Sequence, residues 1–165
     1  MTGKIRMGCA LLLVALSACA TTAQDRLPDL HSRFARDSDP IHRAKLMPQL
    51  GEAEFLEINR SIQAGNFQGA LALLHQYRDE VRWCSDALDA KKIDAEKHPN
   101  GFKQLQISLR ESLRSLNDWL VGFTTDEQKP FLDVRNDLDQ LNRHLIHEIF
   151  PNESTTDAIP VKPTE

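Results

Sequence analysis

Apolar residues recur three or four positions apart along most of the chain between residues 39 and 151. The three most regular runs are Phe67, Ala70, Leu71, Leu74, Tyr77, Val81, Cys84 and Leu88; Phe102, Leu105, Leu109, Leu113, Leu116, Leu120 and Phe123; and Phe131, Val134, Leu138, Leu141, Leu145 and Ile149. This spacing gathers apolar side chains on one face of an α-helix. Because no stretch alternates cleanly with a period of two, we expect no sheet. The sequence therefore predicts an all-α fold, a small bundle of about five helices.

Prolines and glycines set the expected ends of the first two helices. Asp39 precedes Pro40, which suits an N-cap followed by proline at the first helical position, where its missing N–H removes no helical bond. Because proline disrupts a helix interior, we expect this first helix to end before Pro48. A second helix is expected over residues 52–64, ended by a left-handed cap at the Gly65-Asn66 pair.

Three longer helices follow. The third is expected over residues 67–90 and the fourth over residues 102–123. We expect Pro130 to open the fifth helix, which ends before Pro151. The fourth and fifth helices have matching apolar faces and a short link, so they should pack as a long antiparallel hairpin. Four leucines should be buried at that contact: Leu109, Leu116, Leu138 and Leu145.

The turn Gly65-Asn66-Phe67-Gln68-Gly69-Ala70-Leu71 resembles the turn of a tetratricopeptide repeat. In that family a glycine ends the first helix, an aromatic residue follows, and a small residue lets the two helices come close. Gly65, Phe67 and Ala70 match these three roles. No second copy follows at a spacing of about 34 residues, and a self-supporting array needs about three copies. The resemblance therefore implies one repeat-like helical hairpin, over about residues 52–80, inside a bundle.

The first 19 residues have the layout of an export signal. Lys4 and Arg6 precede an apolar run of about ten residues, whereas a membrane-spanning helix needs about 20. The run ends in Leu16-Ser17-Ala18-Cys19, which resembles the lipobox of bacterial lipoproteins. That resemblance implies removal of residues 1–18 and attachment of lipid to Cys19. An ordinary secretory signal is the alternative, because small residues also flank Cys19.

The lipobox resemblance implies a location and a domain order. Two or three acyl chains would hold the protein stably on the extracytoplasmic or periplasmic face of the cell membrane. Ala20 follows Cys19 in place of aspartate, which implies the outer membrane in a host that has one. We expect a signal peptide at 1–18, a tether at 19–38, the helical domain at 39–151 and a disordered tail at 152–165. A short amphipathic element around residues 27–34 would lie within the tether. In this organisation the chain resembles small, uncharacterised all-helical lipoproteins of bacteria.

Charge and motif content exclude several functions. Loss of residues 1–18 would remove Lys4, Arg6 and no acid, which leaves 18 basic and 24 acidic residues. Because nucleic-acid binding needs a basic face, we expect no nucleic-acid partner. The chain has no glycine-rich phosphate loop, no Gly-x-Ser-x-Gly and no Cys-x-x-Cys motif. We therefore expect no enzyme and no cofactor.

His144 and His147 lie three residues apart on the fifth helix, next to Glu148. Two imidazoles at this spacing can share a helical face, as a metal site requires. The order is not that of a His-Glu-x-x-His motif, and histidines near a helix C-terminus are also favoured by the helix dipole. We therefore expect no metal site. The alternative is a site in which His144 and His147 are the ligands.

Three further features each have a structural and a functional interpretation. Cys84 would be alone after Cys9 is removed and Cys19 is lipidated, either as a buried apolar residue or as a reactive thiol. Trp83 and Trp119 either cover the edge of the core or are exposed anchors for protein or peptidoglycan. Polar side chains form either a salt-bridged surface or a docking face on the last two helices: Arg110, Arg114, Asn117, Asp118, Arg135, Asp137, Asp139 and Arg143.

Together these features favour a non-catalytic function. We expect a membrane-anchored envelope lipoprotein whose helical domain is an adaptor or structural protein, with another envelope component of unknown identity as its partner. One alternative is a periplasmic ligand or metal binder that uses the histidines of the fifth helix. The other is a thiol-linked dimer or sensor that acts through Cys84.

Overall fold

The computed structural model describes residues 26–97 and 99–151, and within these ranges the secondary structure is helical, without strands. Five helices follow one another: α1 Arg26–Arg36, α2 Pro40–Gln63, α3 Phe67–Ala90, α4 Phe102–Leu120 and α5 Thr125–Ile149. The prediction of an all-α bundle is confirmed. In this described part, every helix is too short or too polar to cross a membrane. The predicted signal peptide, Cys19 and the predicted tail at 152–165 lie outside the described residues.

The four longer helices form a bundle, and α1 packs on its outside. Helices α2, α3, α5 and α4 each pack against the next, α4 packs back on α2, and α1 packs on α2. Helices α4 and α5 form the predicted hairpin. The four leucines expected at its contact are fully buried, so the predicted helix phase is confirmed: Leu109, Leu116, Leu138 and Leu145.

The predicted caps of α2 are also confirmed. The Asp39 side chain accepts a 2.8 Å hydrogen bond from the backbone N–H of Ile41, with Pro40 in the first turn. This bond is the main cause that lowers the pKa of Asp39 below its usual range. At the other end, Gly65 has a φ of 72°, a left-handed conformation that glycine adopts without steric cost. Asn66 then accepts a hydrogen bond from the backbone N–H of Gly69 and starts α3.

The predicted break at Pro48 is wrong, because α2 runs through this proline as one continuous helix. Proline inside a helix removes one hydrogen bond and costs about 3 kcal/mol or more. Met47 and Leu50 on either side of it are fully buried in the core. Their packing, together with that of the rest of α2, keeps both halves in one helical phase. The two helices predicted before residue 65 are therefore one.

The predicted start of the fifth helix at Pro130 is also wrong, because α5 begins at Thr125. A capping box stabilises this earlier start: the Glu127 carboxylate accepts 2.9 and 2.7 Å hydrogen bonds from the backbone N–H and the hydroxyl of Thr124. Pro130 leaves the carbonyl of Asp126 without its helical donor. Asp126 is exposed, so water can take the place of that donor.

Helix α1 lies in the predicted tether and covers the short amphipathic element expected around residues 27–34. Its residues Leu30 and Phe34 are buried in the same core as the four longer helices. At the C-terminal end of α1, the carbonyl of Ala35 accepts a 3.1 Å hydrogen bond from the Arg43 guanidinium of α2. The packed part of the chain therefore begins at Arg26, before the predicted start at residue 39.

Candidate functional site

A cleft of about 950 Å³ runs along the outer side of α2. Helices α1 and α3 form one wall, and α4 forms the other. Concave sites of this size, lined mainly by apolar groups with a few polar ones, are the usual place for a ligand or a partner segment. Its lining includes residues of all four helices, among them Leu27, His31, Gly51, Phe55, Gln76 and Ser112.

Aromatic rings and a glycine shape the floor of the cleft. The Phe55 ring stacks on Trp119 at 5.2 Å and meets Tyr77 edge-on at 5.1 Å. A Cβ atom at Gly51 would lie 3.0 Å from the Tyr77 ring and 3.3 Å from Ser108 Oγ. Because glycine has no side chain, α2 can approach α3 and α4 closely at this point. The floor is therefore packed, and the cleft opens away from the core.

The rim of the cleft carries charges of both signs and one exposed apolar residue. Arg26 and Arg60 supply positive charge, and Glu111 supplies negative charge from α4. The Arg60 guanidinium also forms a 3.0 Å ion pair with Glu57. Leu56 is 46% exposed beside these groups. A partner segment with apolar side chains and mixed charges would match this surface.

A cluster of one histidine and two glutamates lies where α1, α2 and α3 meet, at the edge of the cleft. His31 Nδ1 on α1 lies 3.0 Å from Glu80 Oε1 on α3, and His31 Nε2 lies 3.5 Å from Glu54 Oε1 on α2. The Gln76 amide nitrogen lies 3.3 Å from both ring nitrogens of His31. His31 and Gln76 also line the cleft, so the cluster and the cleft share a border.

Glu54 is the least expected member of this cluster. Its side chain is fully buried, and neither of its carboxyl oxygens has a hydrogen-bond partner. Burial, reinforced by the negative charge of Glu80, raises the pKa of Glu54 to about 9. Burial also raises the pKa of Glu80, although His31 acts in the opposite direction. A buried carboxyl of this kind holds a proton near neutral pH unless a positive charge replaces it.

His144 and His147 are not brought together with a third ligand. His144 Nε2 lies 2.8 Å from an Asp89 oxygen on α3, whereas His147 lies 3.8 Å from the neighbouring Glu148. Among the described residues, the group of three or more side chains that could surround one ion is His31, Glu54 and Glu80. The two histidines singled out from the sequence thus have different carboxylate partners.

The structure also places the cysteine and the two tryptophans. Cys84 is a fully buried free thiol, as the structural interpretation predicted, and burial raises its pKa to about 12.

Trp119 is half-buried at the core edge against Phe55. Trp83 is 39% exposed, and the Arg43 guanidinium lies 3.7 Å from its ring centroid. Both tryptophans therefore already pack against side chains of their own chain.

The polar sides of the last helices contain several ion pairs. Arg135 donates a 3.1 Å hydrogen bond to Asn117 and lies 3.8 Å from Asp139. The Arg78 guanidinium of α3 lies 3.3 Å from a carboxylate oxygen of Asp137. These contacts agree with a salt-bridged surface at those positions. Exposed ion pairs of this kind contribute little to stability.

Comparison of the chain with protein-family models, with curated proteins and with solved structures finds no significant match.

Proposed function

We propose that this chain is a lipid-anchored protein of the bacterial cell envelope, and that its helical domain is a non-catalytic adaptor that binds another envelope protein. The partner would insert an apolar segment into the cleft along α2. The observation that carries this proposal is the cleft itself, with Leu56 exposed on its rim and Phe55 on its floor. Cavities of this kind on small domains are the default binding-site hypothesis.

The position of the cleft supports a partner close to the membrane. Its lining includes Arg26, Leu27 and Pro28, the first residues of α1. Cys19, the proposed lipid-bearing residue, precedes Arg26 by seven positions. A membrane anchor at Cys19 would thus hold this end of the cleft near the bilayer surface. The mixed charges of Arg60, Glu57 and Glu111 favour a protein segment over a uniformly anionic lipid surface.

Site-specific photo-crosslinking in cells would test the adaptor function. A photoreactive amino acid at Leu56 should capture one specific envelope protein. The matched control is Leu132 on α5, which is 38% exposed and lies away from the cleft. Capture of the same proteins from both positions, or of none from Leu56, would contradict a docking role for the cleft.

The anchor is tested separately. Cys19→Ala should release the protein from the membrane fraction or leave its signal peptide uncleaved, because the acceptor thiol for lipid is gone. Cell fractionation and the electrophoretic mobility of the protein report both outcomes. A variant that is processed and stays membrane-bound like the wild type would show that the lipobox interpretation is wrong.

A further inference from the structure

A carboxyl group without a partner lies where three helices meet. Glu54 is fully buried, and its two oxygens and Oε2 of Glu80 all lack hydrogen-bond partners. Buried polar side chains in folded proteins are nearly always hydrogen-bonded, because an unpaired one loses its hydration without compensation. His31 is the basic side chain within ion-pair distance of Glu54 among the described residues. The carboxyl pair therefore needs either a proton shared between Glu54 and Glu80 or a further positive partner.

The donor atoms are spaced for one shared ion. His31, Glu54 and Glu80 can each offer one ligand atom, and these three atoms lie within 4.8 Å of one another. In a tetrahedral zinc site with metal–ligand bonds of about 2.0–2.1 Å, neighbouring donor atoms are about 3.3 Å apart. The two histidine–carboxylate distances, 3.0 and 3.5 Å, are close to that separation, but they join different ring nitrogens, Nδ1 to Glu80 and Nε2 to Glu54. A shared ion would therefore require the His31 ring to turn so that one nitrogen faces both carboxylates.

The chemistry of the donors selects the class of ion. Calcium prefers six to eight oxygen ligands, and magnesium keeps most of its water. One imidazole nitrogen with two carboxylates is instead a donor set for zinc and other divalent first-row metals. Three protein ligands would leave one coordination position for water. His31 and Gln76 line the adjacent cleft, from which that water could enter.

We infer that His31, Glu54 and Glu80 form a binding site for a divalent first-row transition-metal ion, with zinc as the test ion. The ion would replace the proton that otherwise resides on the buried carboxyl pair. It would join α1, α2 and α3, because each helix supplies one ligand. This inference is independent of the adaptor function, since neither Leu56 nor Cys19 takes part in the site.

Metal titration of the full chain, purified from membranes in detergent and freed of metal, tests the site. Zinc should bind with one-to-one stoichiometry by calorimetry, and cobalt(II) should give visible absorption bands typical of low coordination number. Glu54→Gln should weaken zinc binding by more than about tenfold. Even the loss of a residue that only hydrogen-bonds to a metal ligand commonly lowers metal affinity by that factor. The matched control is His144→Ala, which removes a histidine paired at 2.8 Å with Asp89 on the surface.

Thermal melting separates loss of the site from loss of the fold. Zinc should raise the melting temperature of the wild type and of His144→Ala, because a ligand that binds only the folded state stabilises it. It should leave Glu54→Gln unchanged. If that variant does not fold, His31→Ala serves in its place, because His31 is a quarter exposed and lies on the outer helix α1. Equal zinc affinity in the wild type and the ligand variants, or no binding to the wild type, would overturn the inference.

Discussion

The hydroxyl of Ser112 on α4 donates a 2.7 Å hydrogen bond to the hydroxyl of Tyr77 on α3, and both side chains are buried in the bundle. Burial raises the pKa of Tyr77 above its usual range, so the phenol stays protonated at any physiological pH. Four residues before Ser112, the Ser108 hydroxyl donates to the carbonyl of Met47 on α2. Two serines on one face of α4 thus fix its position against α2 and α3.

Removing one member of the Tyr77–Ser112 pair should destabilise the protein. Ser112→Ala and Tyr77→Phe should each lower the free energy of unfolding by about 1–2 kcal/mol, because the remaining hydroxyl stays buried without this partner. The double variant should cost less than the sum of the two single variants. Urea unfolding of the four proteins gives this coupling energy directly. Strictly additive costs would mean that the hydrogen bond contributes nothing beyond packing.

Leucines at the α4–α5 contact should dominate the stability of the hairpin. Leu116→Ala and Leu138→Ala remove fully buried side chains, and such truncations cost about 2–5 kcal/mol out of a total of about 5–15. Glu111→Ala and Asp139→Ala are the controls, since they lose at most exposed charges and surface ion pairs worth up to about 1 kcal/mol. The melting temperature should fall by many degrees in the first pair alone. Similar losses in both pairs would contradict the packing described for this hairpin.

Glu54→Gln should stabilise the metal-free protein, and more so as pH rises. In the wild type the pKa of this buried carboxyl is raised from 4.5 to about 9 beside Glu80 and His31. Between those values the folded state holds a proton that the unfolded chain has released, so the free energy of unfolding falls as pH increases. Glutamine does not titrate, and its amide could donate to the free oxygen of Glu80.

Urea midpoints at pH 5 and pH 8, measured with a chelator present, check this expectation. The gap between Glu54→Gln and the wild type should be small at pH 5 and clearly larger at pH 8. A gap that is the same at both pH values would show that Glu54 is ionised in the folded protein. Glu57→Gln, on the same helix but paired with Arg60 at the surface, is the control that should show little change.

Cys84 should resist alkylation in the folded protein. Its thiol is fully buried, and burial raises its pKa to about 12, so almost no thiolate forms near neutral pH. Iodoacetamide should modify it slowly in buffer and rapidly in concentrated guanidinium, as followed by mass spectrometry. Cys84→Ser identifies any reaction at other thiols. Fast modification of the folded protein, or a dimer sensitive to reductant, would revive the thiol-sensor alternative.

The helical fold could be predicted from the sequence because its apolar faces repeat regularly. Leu109 and Leu138 illustrate this, since each lies on an unbroken three-four repeat and each is buried as expected. The two wrong helix ends have one cause. The local cost of proline predicts a helix boundary at Pro48 and at Pro130, whereas core packing in α2 and a capping box in α5 outweigh that cost.

The histidine–glutamate cluster could not be predicted in the same way. Its members come from three helices, so no sequence spacing connects them. His31 lies in the predicted tether, within the short amphipathic element expected around residues 27–34, and nothing in the sequence indicates which helix that element packs on. Glu54 lies four residues from both Leu50 and Ile58, on the buried face of α2. An acidic residue on the apolar face of a helix indicates a buried charge and therefore a candidate site. The expected break at Pro48 hides this pattern, because it separates Glu54 from the apolar residues of the first half of α2.

With the proposed lipid on Cys19, the docking of α1 would also set how far the bundle can stand from a membrane. Seven peptide units separate Cys19 from Arg26 and span at most about 25 Å. The 11 residues of α1 cover about 16 Å as a helix and about 38 Å when extended. Unwinding α1 would therefore lengthen the reach of a lipid-anchored chain by roughly 20 Å. In a lipid-anchored protein, the contacts of Leu30, Phe34 and His31 would thus decide whether the bundle is held beside the bilayer or can extend toward a partner farther away.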